Sequence, residues 1–357
     1  MENEFNIKKL LKSVTTYGAS DLHLVANCEP LIRLDGILKP VNLPKLTGKD
    51  IEEMAYSLLK EKQKHQFEEF NELDFSIELE GIGRFRANFY RTLGDVAAAF
   101  RTIPFDVPSL DELGAPQLYK KLMQREKGLI LVTGPTGSGK STTLAAMLNE
   151  INLTQKKHII TIEDPVEFIH RNKKSVFSCR EVEKDTRTFA TALKYALRQD
   201  PDVILIGEMR DKETIEAALT AAETGHLVFG TLHTSSSART INRILDVFTG
   251  DEQPQIRAML STSLVSIISQ TLIPKINKGR IAASEILVMN HAIANLIRED
   301  KVHQVYSQMQ LGQEGTGMQT QTQVLFNLVK QGAISKENAF QYANAPDELA
   351  KLMPRPY

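Results

Sequence analysis

A glycine-rich segment that ends in a lysine and a serine is the part of this sequence best suited to chemistry. It reads Gly-Pro-Thr-Gly-Ser-Gly-Lys-Ser and fits the G-x-x-x-x-G-K-S/T pattern completely. Its glycines let consecutive backbone N–H groups point at an anion, and the lysine adds a cation for the outer phosphates. We therefore predict a nucleotide-binding loop formed by Gly134, Pro135, Thr136, Gly137, Ser138, Gly139, Lys140, Ser141 and Thr142.

The residues on either side of the loop decide between this interpretation and an ordinary glycine-rich turn. The apolar run Leu129–Thr133 predicts a buried strand before the loop. After it, Leu144, Met147, Leu148 and Ile151 recur at helical spacing. A helix N-terminus at this place adds unsatisfied N–H donors to the loop. The strand–loop–helix context therefore favours phosphate binding.

Polar residues follow the other predicted strands of the same region. Three more short apolar runs predict strands at His158–Ile162, Val203–Ile206 and Leu227–Leu232. They lead into Glu163, Glu208 and His233, respectively. Ligands of open α/β sheets bind beyond the carboxyl ends of the strands, so we expect these three side chains near the terminal phosphate. The alternatives are a helix cap or ion pair for each carboxylate and a structural role for the histidine.

Hydrolysis of ATP needs a metal ion, a group that orients water and cations that stabilise the transferred phosphate. Ser141 and Glu208 are the candidate Mg²⁺ ligands. Arg84 and Arg86 alternate onto one face of a predicted strand, and Arg101 precedes a proline-rich stretch. Such arginines usually face solvent. The sharper hypothesis is that they act as arginine fingers on a nucleotide in the same or a neighbouring subunit.

The chain predicts two domains joined by a linker. Residues 1–103 have antiparallel-sheet patterns, a hairpin signal at Asp35-Gly36 and an amphipathic helix over 49–62, which together indicate a small α+β domain. Residues 104–116 contain three prolines and form the expected linker. Strands alternate with helices in residues 117–357, which predicts a mostly parallel sheet, with a mainly helical region from about residue 254.

Composition limits the classes of protein that fit. The chain has 357 residues, a formal net charge of −1 and two cysteines. This charge gives no overall attraction to nucleic acid or anionic lipid, and the two cysteines are too few for a disulfide framework or a four-cysteine zinc site. No signal peptide or membrane-spanning run is apparent. We expect a cytoplasmic protein that reaches a membrane through a partner.

Four sequence blocks resemble the secretion-superfamily ATPases and, within them, the type IV pilus retraction (twitching motility) ATPases of the PilT kind. Gly134–Ser141 is similar to the family's Walker A motif, and Thr161–His170 to its Asp box. Asp202–Arg210 resembles its Walker B motif, with glycine before the glutamate where aspartate is usual. Ala222–His233 resembles its His box. The similarity extends over nearly the whole chain.

The resemblance implies a fold, an assembly and a set of site residues. It implies a PAS-like N-terminal domain, a RecA-like ATPase domain and a homo-hexameric ring that couples ATP hydrolysis to mechanical work on an inner-membrane platform protein. It also implies hydrolytic roles for Glu163 and Glu208. His226 and His233 would line the nucleotide site. Nucleotide contacts are implied for Arg84, Arg86 and Arg101.

One departure from the family pattern concerns the use of the motor. Residues 292–299 read Ala-Ile-Ala-Asn-Leu-Ile-Arg-Glu, and Ala294 stands where the PilT signature has arginine. The family ties this segment to retraction and not to ATP binding. An accessory or regulatory ATPase that does not itself power retraction is therefore an alternative. A RecA-like nucleic-acid motor is a second one, which predicts turnover stimulated by DNA.

Overall fold

The computed structural model of the chain describes residues 6–34, 36–103, 106–277, 279–311 and 313–353. The chain forms two compact units. One consists of Met1–Asp106 with Glu167–Ile169, and the other of Val107–Val166 with His170–Tyr357.

The N-terminal unit is an antiparallel six-stranded sheet with helices, in the strand order β3-β2-β1-β6-β5-β4. β2 and β3 pair antiparallel as the hairpin prediction requires, while Asp35 lies outside the described residues. The elements are α1 (Ile7–Thr16), β1 (Asp21–Leu24), β2 (Leu31–Leu34), β3 (Ile37–Pro40), α2 (Gly48–Tyr56), α3 (Glu61–Phe70), β4 (Glu72–Leu79), β5 (Gly83–Thr92) and β6 (Asp95–Ile103).

Alternation along β5 separates the core of this unit from its polar face. Phe85, Ala87 and Phe89 are fully buried, and the ring of Phe89 packs edge-on against Phe67 of α3 and Phe100 of β6. Successive side chains of a strand point to opposite faces. The intervening arginines of β5 therefore lie on the face away from this aromatic core.

The prediction of one helix over residues 49–62 is wrong, because the structure has two helices with a break between them. α2 ends at Tyr56, where the hydroxyl of the next residue, Ser57, donates to the carbonyl of Met54 at 2.6 Å. α3 then begins after Lys60, whose backbone N–H donates to the side chain of Gln63 at 3.0 Å. Apolar spacing continues across the break and does not reveal it.

The second unit contains the remaining strands and helices. They are α4 (Leu118–Leu122), β7 (Gly128–Thr133), α5 (Lys140–Thr154), β8 (His158–Glu163), β9 (Val176–Glu181), α6 (Phe189–Ala196), β10 (Val203–Ile206), α7 (Lys212–Glu223), β11 (Leu227–Leu232), α8 (Ser237–Leu245), α9 (Gln253–Ser263), β12 (Leu264–Pro274), β13 (Arg280–Val288), α10 (His291–Arg298), a 3₁₀ turn (Val302–Gln304), α11 (Val305–Leu311), α12 (Gln313–Thr316), α13 (Gln321–Lys330), α14 (Lys336–Gln341) and α15 (Pro346–Leu352).

Seven strands of this unit form one sheet in the order β13-β12-β7-β11-β10-β8-β9. All neighbours pair parallel except β12 and β13. Alternate residues of β7 pack into two different apolar clusters, Leu129 and Leu131 into one and Ile130 and Val132 into the other. Both faces of the sheet are therefore covered, as in parallel α/β folds.

The prediction of a mainly helical region from about residue 254 missed two long strands, which follow α9. β12 adds to the sheet beside β7, and β13 returns antiparallel to it. Their apolar runs are buried and cannot be distinguished from buried helix by periodicity alone. Apart from an isolated bridge between Ile286 and Gln319, the described residues from His291 onward are helical or irregular.

Candidate active site

The predicted phosphate loop joins the end of β7 to the start of α5, which is the arrangement that its chemistry requires. Gly134 has φ of +145°, and a Cβ there would lie 2.2 Å from the carbonyl oxygen of Gln270. Gly139 caps α5 with φ of +86°. These positions therefore need glycine, both for backbone conformation and for the close approach of β12.

Gln270 of β12 is a site residue that sequence reasoning missed. Its Nε2 donates to the carbonyl of Ser138 at 2.7 Å, and its Oε1 accepts from the hydroxyl of Thr143 at 2.9 Å. The side chain is 3% exposed. One buried amide thus connects the predicted phosphate loop to the first turn of α5 and restrains the backbone of the loop.

The polar residues of the loop lie around its mouth. The ammonium of Lys140 donates to the carbonyls of Gly134 at 2.8 Å and Pro135 at 3.2 Å. Ser141 and Thr142 follow in the first turn of α5 and are half-buried. The lysine and the hydroxyl group of Ser141 therefore lie at the N-terminus of a helix, where anions bind.

The structure brings three predicted residues to the same edge of the sheet as the loop. β7, β11, β10 and β8 are consecutive neighbours and run parallel, so their carboxyl ends lie side by side. His233, Glu208 and Glu163 stand at these ends. The Nε2 atom of His233 lies 3.2 Å from Oε1 of Glu208.

Glu208 is held in its ionised form by its neighbours. Burial opposes ionisation, but an ion pair with Arg210 and the proximity of His233 lower the pKa of the Glu208 carboxyl below its ordinary value. An opposite charge within a few ångströms favours the charged form of a carboxylate. Glu208 is therefore a carboxylate at neutral pH, which is the form that binds a hard cation or orients water.

The glycine before Glu208 is explained by the neighbouring strand. A Cβ at Gly207 would lie 3.1 Å from both the Cα of Glu163 and the carbonyl oxygen of Ile162. The backbone N–H of Gly207 donates to that same carbonyl at 2.7 Å. The departure from the usual aspartate at this position therefore follows from the close approach of β8.

The structure does not bring His226 to the phosphate loop within one chain. His226 precedes β11 at the amino edge of the sheet, and its ring Nδ1 lies 3.0 Å from the carbonyl of Ala221. Its own carbonyl accepts from the N–H of Gly128, at the start of β7. The six residues of β11 span about 20 Å. His226 therefore lies at the opposite edge of the sheet.

The three predicted arginines belong to the N-terminal unit and lie on one face of its sheet. Arg86 of β5 is directly opposite Arg101 of β6. The Nε of Arg86 donates to both carboxylate oxygens of Asp74 at 3.1 Å. The Nε of Arg101 donates to Asp21 at 2.9 Å. These carboxylates offset the repulsion expected of like charges that face each other across two strands.

Arg84 and Arg101 differ in their surroundings. Arg84 lies two residues before Arg86 on the same face of β5, and its Nη2 donates to Ser76 at 3.2 Å. The side chain of Arg101 is 71% exposed. Burial raises the pKa of Asp21, but hydrogen bonds from Ser20 and Arg101 and the charge of Arg101 outweigh it, so the pKa is lowered.

The residues that the structure describes contain no group of three or more His, Cys, Asp or Glu side chains that could hold a metal ion by themselves. A Mg²⁺ ion at this site would therefore depend on nucleotide oxygens as well as on protein groups, as Mg²⁺ in phosphoryl-transfer sites usually does. The same described segments contain no helix long and apolar enough to cross a membrane.

A phosphate loop at the end of a parallel strand, with two carboxylates and an imidazole at the neighbouring strand ends, defines a P-loop ATPase. The family model described as "Type II/IV secretion system protein" matches residues 3–278. The chain therefore belongs to the type II/IV secretion system protein family. This membership and the two units confirm the predicted family and the predicted fold class, a RecA-like domain preceded by a smaller PAS-like α+β domain.

Two relatives are similar to the chain over nearly its whole length. The chain is 54% identical over 344 residues to the type IV pilus retraction ATPase PilT of Pseudomonas aeruginosa, covering 96% of this chain and all of that protein. It is 49% identical over 347 residues to a twitching motility protein of Neisseria gonorrhoeae, covering 97% and 92%.

Two solved structures are also similar. A crystal structure of the pilus retraction motor PilT with bound ADP has a TM-score of 0.92 and 51% identity, and covers 98% of this chain and 100% of that one. The ATPase DotB of Legionella pneumophila has a TM-score of 0.82 and 28% identity, with 94% and 95% covered.

Proposed function

We propose that this chain hydrolyses ATP to drive retraction of a type IV pilus, the activity named for its PilT relatives. One observation carries the proposal: Lys140, His233, Glu208 and Glu163 stand at the carboxyl ends of four adjacent parallel strands or on the loop that follows. This arrangement supports the proposal, because a cation suited to binding phosphate lies at the same edge as groups that could orient water or hold a metal ion. The identity of 54% over nearly the whole chain supports retraction as the work performed.

We assign the roles at this edge as follows. The backbone of residues 134–139 and the ammonium of Lys140 bind the phosphates, with Ser141 and Thr142 at the helix N-terminus. Glu208, ionised and in contact with His233, orients water, and Glu163 supports it from β8. His233 orients Glu208 and senses the terminal phosphate.

Ser141 and Glu208 are the residues that would hold Mg²⁺. A hydroxyl and an ionised carboxylate are oxygen ligands of the kind that Mg²⁺ prefers, and the lowered pKa keeps Glu208 in the required form. The ion, when bound, neutralises charge on the phosphates.

Arg84, Arg86 and Arg101 are proposed to act as arginine fingers on a nucleotide of the same or a neighbouring subunit in a homo-hexameric ring. Their guanidinium groups lie on one face of the small sheet, and acidic partners hold Arg86 and Arg101 in place. The ring would work in the cytoplasm on an inner-membrane platform protein. The role of His226 at the nucleotide site would require a neighbouring subunit, because its own phosphate loop is at the other edge of the sheet.

An accessory role without retraction is the second candidate, and Ala294 favours it. This residue lies on α10 with 8% exposure, where the PilT signature has a long cation. The type IV pilus ATPase PilU of Pseudomonas aeruginosa is also a relative, at 39% identity. Retraction therefore needs a test separate from that of hydrolysis.

Two measurements test the proposal. Phosphate release by the purified chain should depend on Mg-ATP and fall to background in Lys140→Ala. Deletion of the gene should abolish surface motility, and the wild-type chain should restore it while Lys140→Ala should not. If the purified chain hydrolyses ATP but deletion of its gene leaves surface motility intact, the accessory role is the correct one.

A further inference from the structure

Glu285 is a buried carboxylate that lies outside the groups assigned above. It stands on β13 with 3% exposure. Its Oε1 accepts from the backbone N–H of Ser237 at 2.7 Å, and the carboxylate also accepts from the backbone N–H of Gln321. Ser237 and Gln321 are the first residues of α8 and α13. One carboxylate therefore binds two helix N-termini, where unsatisfied N–H groups favour negative charge.

The contacts of Glu285 offset the free-energy cost of burying its carboxylate. Burial raises the pKa of its carboxyl, and Glu348 adds to this, while the N–H groups of Ser237 and Gln321 oppose it. A buried polar group is tolerated where hydrogen bonds satisfy it. Because both donors are backbone groups, satisfying Glu285 fixes two segments of main chain relative to β13.

One of these segments begins directly after the residues that carry His233. We call residues 233–236 the His233 turn. Ser236 is the N-cap of α8, so the N–H bound by Glu285 belongs to the residue next to the turn. Thr240 of α8 contacts the turn, because its hydroxyl lies 2.7 Å from that of Thr234 and donates to the carbonyl of Ser236 at 2.8 Å.

A second contact holds the His233 turn from the C-terminal helices. The side-chain amide of Asn344 donates to the carbonyl of Ser235 at 2.8 Å. The backbone N–H of Asn344 in turn donates to the side chain of Gln321 at 2.7 Å. Glu285 and Asn344 therefore both contact Gln321. Asn344 binds Ser235 within the turn, and Glu285 binds Ser237 directly after it.

We infer that Glu285 is a positioning residue that acts through His233, with Asn344 as its second anchor on the His233 turn. The inference rests on the role proposed for His233. The imidazole is 45% exposed, so the backbone of the turn sets where it lies relative to Glu208, 3.2 Å away. Small misplacements of a catalytic group reduce turnover strongly. We expect nucleotide binding, which depends on the phosphate loop, to change much less than turnover.

The experiment measures kcat and KM for ATP with the full-length chain. The variants are Glu285→Ala, Glu285→Gln, Asn344→Ala, His233→Ala and the double variant of Glu285→Ala with His233→Ala. Ser266→Ala is the matched control, because it removes a buried hydrogen bond, from the serine hydroxyl to the carbonyl of Leu287 at 2.7 Å, on the adjacent strand. Circular dichroism checks that each variant is folded.

We expect Glu285→Ala to lower kcat about tenfold or more with KM within about twofold of wild type. Glu285→Gln should recover part of the loss, because its amide oxygen still accepts from Ser237. Asn344→Ala should lower kcat several-fold, and Ser266→Ala should have the kcat of the wild type. The double variant should match His233→Ala, since two residues that act through one group are not additive.

Three results would overturn the inference. One is wild-type kcat in folded Glu285→Ala or, should that variant fail to fold, in Asn344→Ala. Another is a kcat of the double variant well below that of His233→Ala, which would show that Glu285 acts elsewhere. The third is wild-type kcat in His233→Ala, which would remove the proposed role of His233 and this inference together. A loss in His233→Ala without a loss in the other variants would remove this inference alone.

Discussion

Glu208 and His233 follow different strands, yet their side chains lie 3.2 Å apart at the carboxyl edge of the sheet. β10 and β11 pair in parallel, with Ile206 opposite Gly230, so the residues that follow each strand emerge together. Arg210 forms an ion pair with the same Glu208 carboxylate. The ionised form of Glu208 is therefore favoured by residues that follow both strands.

Glu208→Gln should abolish turnover without weakening the binding of ADP measured in the absence of Mg²⁺, the ion that Glu208 is proposed to hold. The change removes the negative charge but keeps the size of the side chain, so water loses the group that orients it while the phosphate loop is intact. We expect kcat to fall by about 100-fold or more. Phosphate release and calorimetric titration with ADP measure the two effects. Glu223→Gln is the matched control, since Glu223 ends α7 at the other edge of the sheet. Equal losses in both variants would contradict the assignment.

Arg210→Ala should move the acid limb of the pH profile to higher pH. Arg210 lowers the pKa of Glu208, so the wild-type carboxylate stays ionised to lower pH than an ordinary glutamate does. The lowered pKa also means that ionised Glu208 stabilises the folded chain above its unfolded pKa. This stabilisation is lost as the pH falls through the lowered folded pKa. Without Arg210 the carboxyl takes up its proton at higher pH, and kcat should decline earlier on acidification. Measurement of kcat between pH 4 and pH 8 (about the range in which carboxyl and imidazole groups titrate) checks this, and an unmoved acid limb would contradict it.

Gln270→Glu should weaken nucleotide binding. The substitution places a carboxylate oxygen opposite the carbonyl of Ser138, where the wild-type amide donates a hydrogen bond at 2.7 Å. Two acceptors facing each other in a buried site should distort the loop, and we expect the Kd for ADP to rise about tenfold or more. Gln319→Glu is the control, because it disrupts a similar amide-to-carbonyl bond, to Ser284 at 2.7 Å, away from the loop. Unchanged affinity in Gln270→Glu would show that the loop holds its shape without this contact.

The sequence predicted the parts of the site that depend on neighbouring residues. The phosphate loop follows from a continuous motif, and the placement of Glu163, Glu208 and His233 follows from strands that all end at one edge. These predictions needed only the rule that parallel strands present their carboxyl ends together.

The parts that sequence reasoning missed depend on contacts between distant segments. Gln270 lies on β12, in a region that was predicted to be mainly helical, and its side chain donates to Ser138, which is distant in sequence. Glu285 is satisfied by two helix N-termini that no local pattern connects to it. His226 is close in sequence to His233, but β11 carries the two to opposite edges. Spacing along the chain does not encode these distances.

Gly207→Ala should destabilise the second unit and lower turnover. Its added Cβ would lie 3.1 Å from the Cα of Glu163 and from the carbonyl oxygen of Ile162, so β8 and β10 would have to separate slightly. Overpacking of this kind costs about 1–3 kcal/mol in the free energy of unfolding. Urea denaturation followed by circular dichroism measures that cost, and phosphate release measures the effect on Glu163 and Glu208.

Gly250→Ala is the matched control for this change, because a Cβ at Gly250 meets no atom within 4 Å. It should leave both stability and turnover close to wild type. If Gly207→Ala is as stable and as active as Gly250→Ala, the close approach of β8 is not the reason for glycine before Glu208. Gly207→Asp, which restores the residue usual in Walker B motifs, should then be tolerated as well. The steric explanation predicts instead that Gly207→Asp is less stable and less active than Gly207→Ala, because it adds a larger and charged side chain at the same close contact.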